Sequence, residues 1–351
     1  MTSRHHCVPE IVLVAALLAC RQLHAAGNDP VHLGGFADVE WHTSSSGDRE
    51  GLDVAEIDGF GTCQLSNSWS ALGEAVVQRN WVPHGEKSFD ADVERLYLAY
   101  NKTDALRVEI GQTATGVIRW SEREHRSRFL ETPIDVPAIA RRPEQDGAFP
   151  LRFLGAVASG RVPGSLGIAW SAGAGLGPGR ERDETSILNP GSAPAAVLSL
   201  SVSPDQYPGL ELAAAEYIGE VSIDRSTMHE RDATISANYV ANGYEFRSEW
   251  ARMSHRFASS SSAFVTNGYY ALFSKRLTGR LERFRPYLLL DHLNVANGES
   301  YLSEATDENA WATGLRFDLT QRVTMKAEYR SQRSIEGKRE SVAGVQFGLS
   351  F

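Results

Sequence analysis

Apolar and polar side chains alternate with a period of two along most of this chain. Leu96, Leu98 and Tyr100 fall on one side of their segment, and Arg95, Tyr97 and Ala99 on the other. Leu106, Val108 and Ile110 oppose Arg107 and Glu109 in the same way, and Val323, Met325, Ala327 and Tyr329 alternate with Thr324, Lys326, Glu328 and Arg330. Successive side chains of a β-strand point to opposite faces, so each run predicts a strand with one apolar and one charged face. Sixteen strands are expected, beginning near residues 32, 52, 69, 89, 104, 151, 164, 195, 209, 230, 243, 263, 281, 309, 322 and 339.

The connections sort by parity. After even-numbered strands they are short, as at Asn67-Ser68, Pro163-Gly164, Asn242-Gly243 and Thr320-Gln321. After odd-numbered strands most are longer: 44–51, 83–88, 112–150, 175–194, 220–229, 255–262 and 294–308. Short turns on one rim and long loops on the other characterise transmembrane β-barrels, and an even count brings both termini to the short-turn rim. A soluble sandwich with one wet face alternates too. Several runs here reach about 12 residues, however, against about 5–6 for a globular strand, and that length suits a tilted bilayer crossing. Trp41, Trp81, Tyr100, Trp250, Trp311 and Tyr329 stand near strand ends, where an aromatic girdle belongs. The expected fold class is all-β, a transmembrane antiparallel barrel of 16 strands over residues 27–351.

The first 26 residues break the pattern. Arg4 precedes the apolar run IVLVAALLAC at 11–20, and Ala25 and Ala26 follow, which is a signal-peptide layout with a cut expected after Ala26. Ten apolar residues fall short of the about 20 that a spanning helix needs. Leu17-Leu18-Ala19-Cys20 also has the form of a lipobox, which would make Cys20 a lipidated N-terminus. Of three cysteines, Cys7 and Cys20 lie in this leader, so a chain cut after Ala26 keeps only Cys63 and forms no internal disulfide. Removing Arg4, Arg21 and Glu10 from the 35 basic and 44 acidic residues leaves 33 and 43, a net charge of −10, which argues against nucleic acid as a partner.

Alternation fails over the forty residues 111–150, a loop long enough to be functional. It holds Arg119, Arg123, Arg126 and Arg128 with His125 among them, then Arg141 and Arg142; its six arginines are matched by six acidic residues. The polar phase of the strands supplies Asp38, Glu40, Glu56, Asp58, Glu74, Arg95, Arg107, Glu109, Glu245, Arg247, Glu249, Arg283, Arg285, Asp291, Arg316, Asp318, Lys326, Glu328 and Arg330, which inside a barrel face the lumen. Either these charges are hydrated along a channel, or they pair with one another and fill it.

No G-x-S-x-G, H-E-x-x-H, S-x-x-K or paired C-x-x-C motif occurs after the leader. Gly173 to Gly179 is glycine-rich but lacks the dinucleotide-binding spacing, and His229, His255 and His292 have no metal-ligand spacing. An enzyme is not expected, and no cofactor or metal is implied.

The terminal stretch GVQFGLSF (344–351), with Phe347, Leu349 and Phe351 in phase, resembles the C-terminal signal by which the barrel assembly machinery recognises outer-membrane barrels. VERLYLAY (93–100), DALRVEIGQ (104–112), RFDLT (316–320) and KAEYR (326–330) resemble the phosphate-selective porin O/P group and related bacterial porins. The resemblance implies a Gram-negative outer-membrane porin, a third extracellular loop folded inward as a constriction, and a homotrimer in outer-membrane lipid. Residues 111–150 are that third loop by strand count. Its constriction residues would be Arg119, Arg123, His125, Arg126, Arg128, Arg141 and Arg142. Lysine is scarce in the loop and its charge balances, which departs from a phosphate-specific pore. The expected function is passive diffusion of small hydrophilic solutes, mildly favouring anions such as phosphate or small carboxylates. The alternative is a non-conducting barrel serving as a scaffold or adhesion surface. For the arginine cluster itself, the alternative to a selectivity role is pairing with Asp38, Glu40, Glu56 and Asp58, which would only pin the loop to the wall.

Overall fold

A computed structural model describes residues 31–45, 51–80, 88–124, 131–141, 147–177, 193–223, 226–258, 262–299, 301–302, 305–333 and 339–351. The chain forms sixteen strands: β1 Val31–Ser44, β2 Gly51–Gln64, β3 Trp69–Asn80, β4 Ser88–Thr103, β5 Leu106–Ala114, β6 Arg152–Arg161, β7 Ile168–Leu176, β8 Pro194–Val202, β9 Leu210–Ile223, β10 Ser226–Ala241, β11 Tyr244–Phe257, β12 Phe264–Lys275, β13 Phe284–Asn294, β14 Glu308–Asp318, β15 Val323–Arg333 and β16 Arg339–Ser350. Each pairs antiparallel with its sequence neighbours, and β1 pairs with β16, so the sheet closes into a barrel. Closure leaves no unpaired strand edge, the condition a lipid environment imposes.

The seam runs from Phe36 opposite Ser350 to Ser44 opposite Val342. It ends in a reciprocal pair of backbone hydrogen bonds, Gly35 N–H to Phe351 O at 3.1 Å and Phe351 N–H to Gly35 O at 3.0 Å. Between β10 and β11 the turn is Asn242-Gly243, with φ of 53° and 75°. Positive φ at both central positions is the twist-matched hairpin geometry that this dipeptide favours.

Strand starts fall within four residues of expectation throughout, because alternation reports directly on the pleat. The loop expected at 220–229 is corrected. There β9 continues to Ile223 and β10 begins at Ser226, with Glu220 opposite His229. Glu220, His229 and Arg231 all occupy outward positions, so the outer face is polar here and the apolar half of the alternation disappears from a segment that is still strand.

The inner face carries a second feature, an apolar core. Val117, Ile118, Trp120, Ile139 and Phe149 from the segment between β5 and β6 pack against Tyr270, Leu272, Leu289 and Leu293 from β12 and β13. Trp120 meets the Tyr270 ring edge-on at a centroid distance of 5.2 Å.

Candidate solute channel

Strand parity separates the two faces of the wall. Ile57, Leu98, Ile110, Ile235, Leu288 and Leu290 are exposed on the outside, whereas Asp38, Glu40, Glu56, Asp58, Glu74, Glu245, Glu249, Asp291, Lys326, Glu328 and Arg330 are buried within. On β1 to β3 the inner face is an acidic wall. Its charge is partly countered by Arg95 on Glu74; Glu40 is hydrogen-bonded to His42 at 2.8 Å and accepts from Gln346 at 2.5 Å.

The described residues of the long segment between β5 and β6, loop 3, make hydrogen bonds to inward carboxylates of β9, β11, β13 and β15. Its base is pinched by Thr115 Oγ1 donating to Pro150 O at 2.8 Å. A short helix, α1 (Arg119–Glu124), follows. The exposed amides at its start would be unsatisfied; Glu249 of β11 accepts them, from Arg119 N–H at 2.7 Å and Trp120 N–H at 3.2 Å. Further along, Glu245 accepts from Thr132 Oγ1 at 2.7 Å, Glu328 from Ile134 N–H at 3.0 Å, and both Asp291 oxygens from Ala138 N–H at 3.0 and 3.1 Å. Lys326 and Arg316 reverse the sense, donating to Pro133 O at 3.0 Å and Glu131 O at 2.8 Å.

Arginines complete the tether. Arg119 makes a two-pronged bond to Glu211 of β9, both arms at 3.0 Å. Arg141 does the same with Glu308 of β14, at 2.6 and 3.1 Å. Burial disfavours the Arg141 charge, but Glu308 outweighs it and holds the guanidinium above its ordinary value. Arg330 sits behind this pair, bonded to Asp291 at 2.7 Å and to Glu308, with Asp135 of the loop at 3.7 Å.

Open space remains on the opposite side. A cavity of about 730 Å³ lies against β4 to β8, where Lys102, Arg107, Arg119 and Arg161 face one carboxylate, Asp104, and a strip of serines at 159, 171, 199 and 201. The Ser171 and Ser199 hydroxyls are 2.7 Å apart.

No family model matches the sequence, and no curated protein matches it. Solved structures do resemble the fold. The outer-membrane protein OmpT of Vibrio cholerae superposes with a TM-score of 0.63 at 10% identity, covering 93% of this chain and 100% of that one. It is also recorded in a trimer form. OmpF of Salmonella typhi, in complex with daunomycin, gives 0.62 at 11% identity over 92% and 97%. The outer membrane channel DcaP of Acinetobacter baumannii gives 0.59 at 12% identity over the same shares. The fold is that of an outer-membrane porin.

In this barrel the polar-phase residues take different places. Arg95, Arg107, Glu109, Arg285, Arg316 and Asp318 are half-buried on the inner face, each in an ion pair: Arg107 with Glu109 at 2.8 Å, Arg285 with Glu245 at 3.1 Å, Arg316 with Asp318 at 2.8 Å. Arg283 is corrected. It stands exposed in the turn before β13, donating to Leu319 O at 3.4 Å, because a 3₁₀ turn at Gly279–Leu281 delays the strand to Phe284. The partners of Arg119 and Arg141 are Glu211 and Glu308, not the acidic residues of β1 and β2. His125, Arg126, Arg128 and Arg142, and the side chain of Arg123, lie outside the described residues. The three histidines each have a polar neighbour: His229 lies 3.3 Å from Glu220, His255 between Glu230 at 3.0 Å and Glu299, and His292 2.6 Å from Asn309.

Sequence reasoning missed Glu211 and Glu308, although both stand in the polar phase at strand ends, and it missed the serine strip entirely. On β7 Ser171 stands among alanines and glycines, which gives alternation little contrast to report; on β8 Ser199 and Ser201 alternate with Leu198, Leu200 and Val202, so the signal was present there and only its polar half lacked charge.

Proposed function

We infer that the protein is an outer-membrane porin, through which small hydrophilic solutes diffuse passively between loop 3 and the β4 to β8 wall. The cation-lined cavity carries this reading: four basic residues and a serine strip against a single carboxylate. Confinement strengthens such charges, since a unit pair about 4 Å apart interacts by roughly 4 kcal/mol at an effective dielectric of 20 and about 1 kcal/mol in bulk water. The preference is mildly anionic, for small carboxylates or phosphate-like solutes. Arg107 and Arg119 contribute little to it, because Glu109 and Glu211 already neutralise those guanidiniums; Lys102 and Arg161 contribute most, being exposed along the cavity. No covalent chemistry is assigned to the barrel.

In planar bilayers under a salt gradient, wild-type protein is expected to conduct, with a reversal potential on the anion side. Lys102→Glu with Arg161→Glu should move that potential clearly toward cations, and Arg283→Glu, away from the cavity, should leave it in place. Equal shifts for both variants would remove the cavity as the selectivity determinant.

A second reading has its own support. The apolar core between loop 3 and β12 and β13 fills that side of the lumen, as a plug would. Absence of conductance from protein that still shifts on a gel after boiling would favour the non-conducting scaffold.

The partners in this reading are outer-membrane lipid, the barrel assembly machinery and two further copies of the chain. A homotrimer buries part of the lipid-facing wall of each subunit, and the trimer form of the Vibrio cholerae protein gives it precedent. Native mass measurement in mild detergent is expected to give three times the subunit mass; a monomer alone would remove the trimer.

A further inference from the structure

The outer wall of β9 to β11 departs from a lipid-facing surface in one place. Near the ends of these strands farthest from the termini, charged side chains take the outward positions: Glu216 and Glu220 on β9, His229 and Arg231 on β10, Arg252 and Arg256 on β11. Registers place them side by side, with Ala233 between Glu216 and Arg252 and with His229 opposite Arg256. Glu216 pairs with Arg231 at 2.6 Å, and Glu220 lies 3.3 Å from His229. Among the described residues the side chains of Arg252 and Arg256 form no hydrogen bond or ion pair, and both are exposed. The patch therefore keeps a positive surplus, and a groove of about 500 Å³ runs between Ile218, Ala233 and the three arginines.

Its height on the barrel decides what it meets. Trp250, opposite Tyr269 on β12, occupies the outward position next below Arg252, and both rings are exposed where an aromatic girdle marks the membrane interface. One outward step along a strand tilted by about 40° rises about 5 Å, which puts Arg252 just above the girdle, at head-group depth. Directly beneath, Ile235, Phe246 and Phe273 continue an apolar wall toward the opposite rim. A guanidinium recognises phosphate oxygens through paired, charge-assisted hydrogen bonds.

We propose that this face is a binding site for a phosphorylated lipid of the outer leaflet, with its phosphate on Arg252 and Arg256 and its acyl chains along the apolar wall below. An amphiphile fits because charge and apolar surface are stacked in that order along one face; a second copy of the chain would need complementary acidic surface at the same height. The proposal rests on outer-membrane placement but not on conduction, since both arginines face away from the lumen.

The test uses full-length protein in detergent, loaded with bis-phosphorylated lipid A and read by native mass spectrometry. Wild type is expected to retain this lipid, and Arg252→Gln with Arg256→Gln to bind it at least about tenfold more weakly, as loss of two charge-assisted contacts requires. The corresponding double lysine variant should restore part of the binding, and dephosphorylated lipid A should bind wild type as weakly as it binds the glutamine variant. Unchanged gel mobility and unchanged bilayer conductance of the glutamine variant would keep any loss separate from misfolding and from the channel reading. Equal retention by wild type and variant, or by both lipid forms, overturns the site. So does displacement of the lipid by inorganic phosphate, or a changed oligomeric mass in lipid-free variant protein, which would assign the face to a second copy.

Discussion

Arg330→Met is expected to destabilise the barrel by about 3–5 kcal/mol, the range for removing one partner from a buried ionic cluster. Arg330 is 1% exposed and bonds both Asp291 and Glu308, which are themselves buried. Those carboxylates have further duties. Asp291 accepts the Ala138 amide and Glu308 holds Arg141, so loss of the guanidinium leaves two like charges facing each other at the anchor of loop 3. Methionine keeps the stem volume but supplies no donor. Urea unfolding in lipid vesicles, followed by tryptophan fluorescence, should show the midpoint falling, and adding Glu308→Gln should recover part of it by removing the repulsion. A loss below about 1 kcal/mol, the scale of an exposed pair, would mean that lumen water solvates this cluster and that it does not anchor the loop.

Deleting Phe351 is expected to lower the amount of folded barrel in the outer membrane by roughly tenfold or more. The residue donates to and accepts from Gly35, and two backbone hydrogen bonds at about 1 kcal/mol each already correspond to more than a tenfold change in the closure equilibrium. Its ring lies over Gly35, where an added Cβ would come within 2.5 Å of it, so the terminal residue also packs the seam. Phe347, Leu349 and Phe351 point outward in phase and are exposed to lipid and to any assembly factor. Phe351→Tyr keeps the ring and both backbone bonds and should keep most of the folded protein. Quantifying the heat-modifiable band in membrane fractions distinguishes the variants. Equal levels for the deletion and wild type would show that neither closure nor recognition depends on the last residue.

Alternation alone determined the strand count, the parity of the loops and which residues face inward, because the pleat is a local property that each segment reports independently. It failed where local contrast vanished. The hairpin of β9 and β10 reads as a loop because Glu220, His229 and Arg231 make its outer face polar, and Ser171 goes unnoticed among the alanines and glycines of β7. The path of loop 3 had no local signature at all. Arg119 meets Glu211 across 92 residues and Arg141 meets Glu308 across 167. Closing the barrel is what brings those carboxylates to the same side of the lumen. Whether an arginine in the loop is a free cation along a channel or a strut to the wall is a question of distance between remote strands, which period and composition do not encode and only the folded barrel decided.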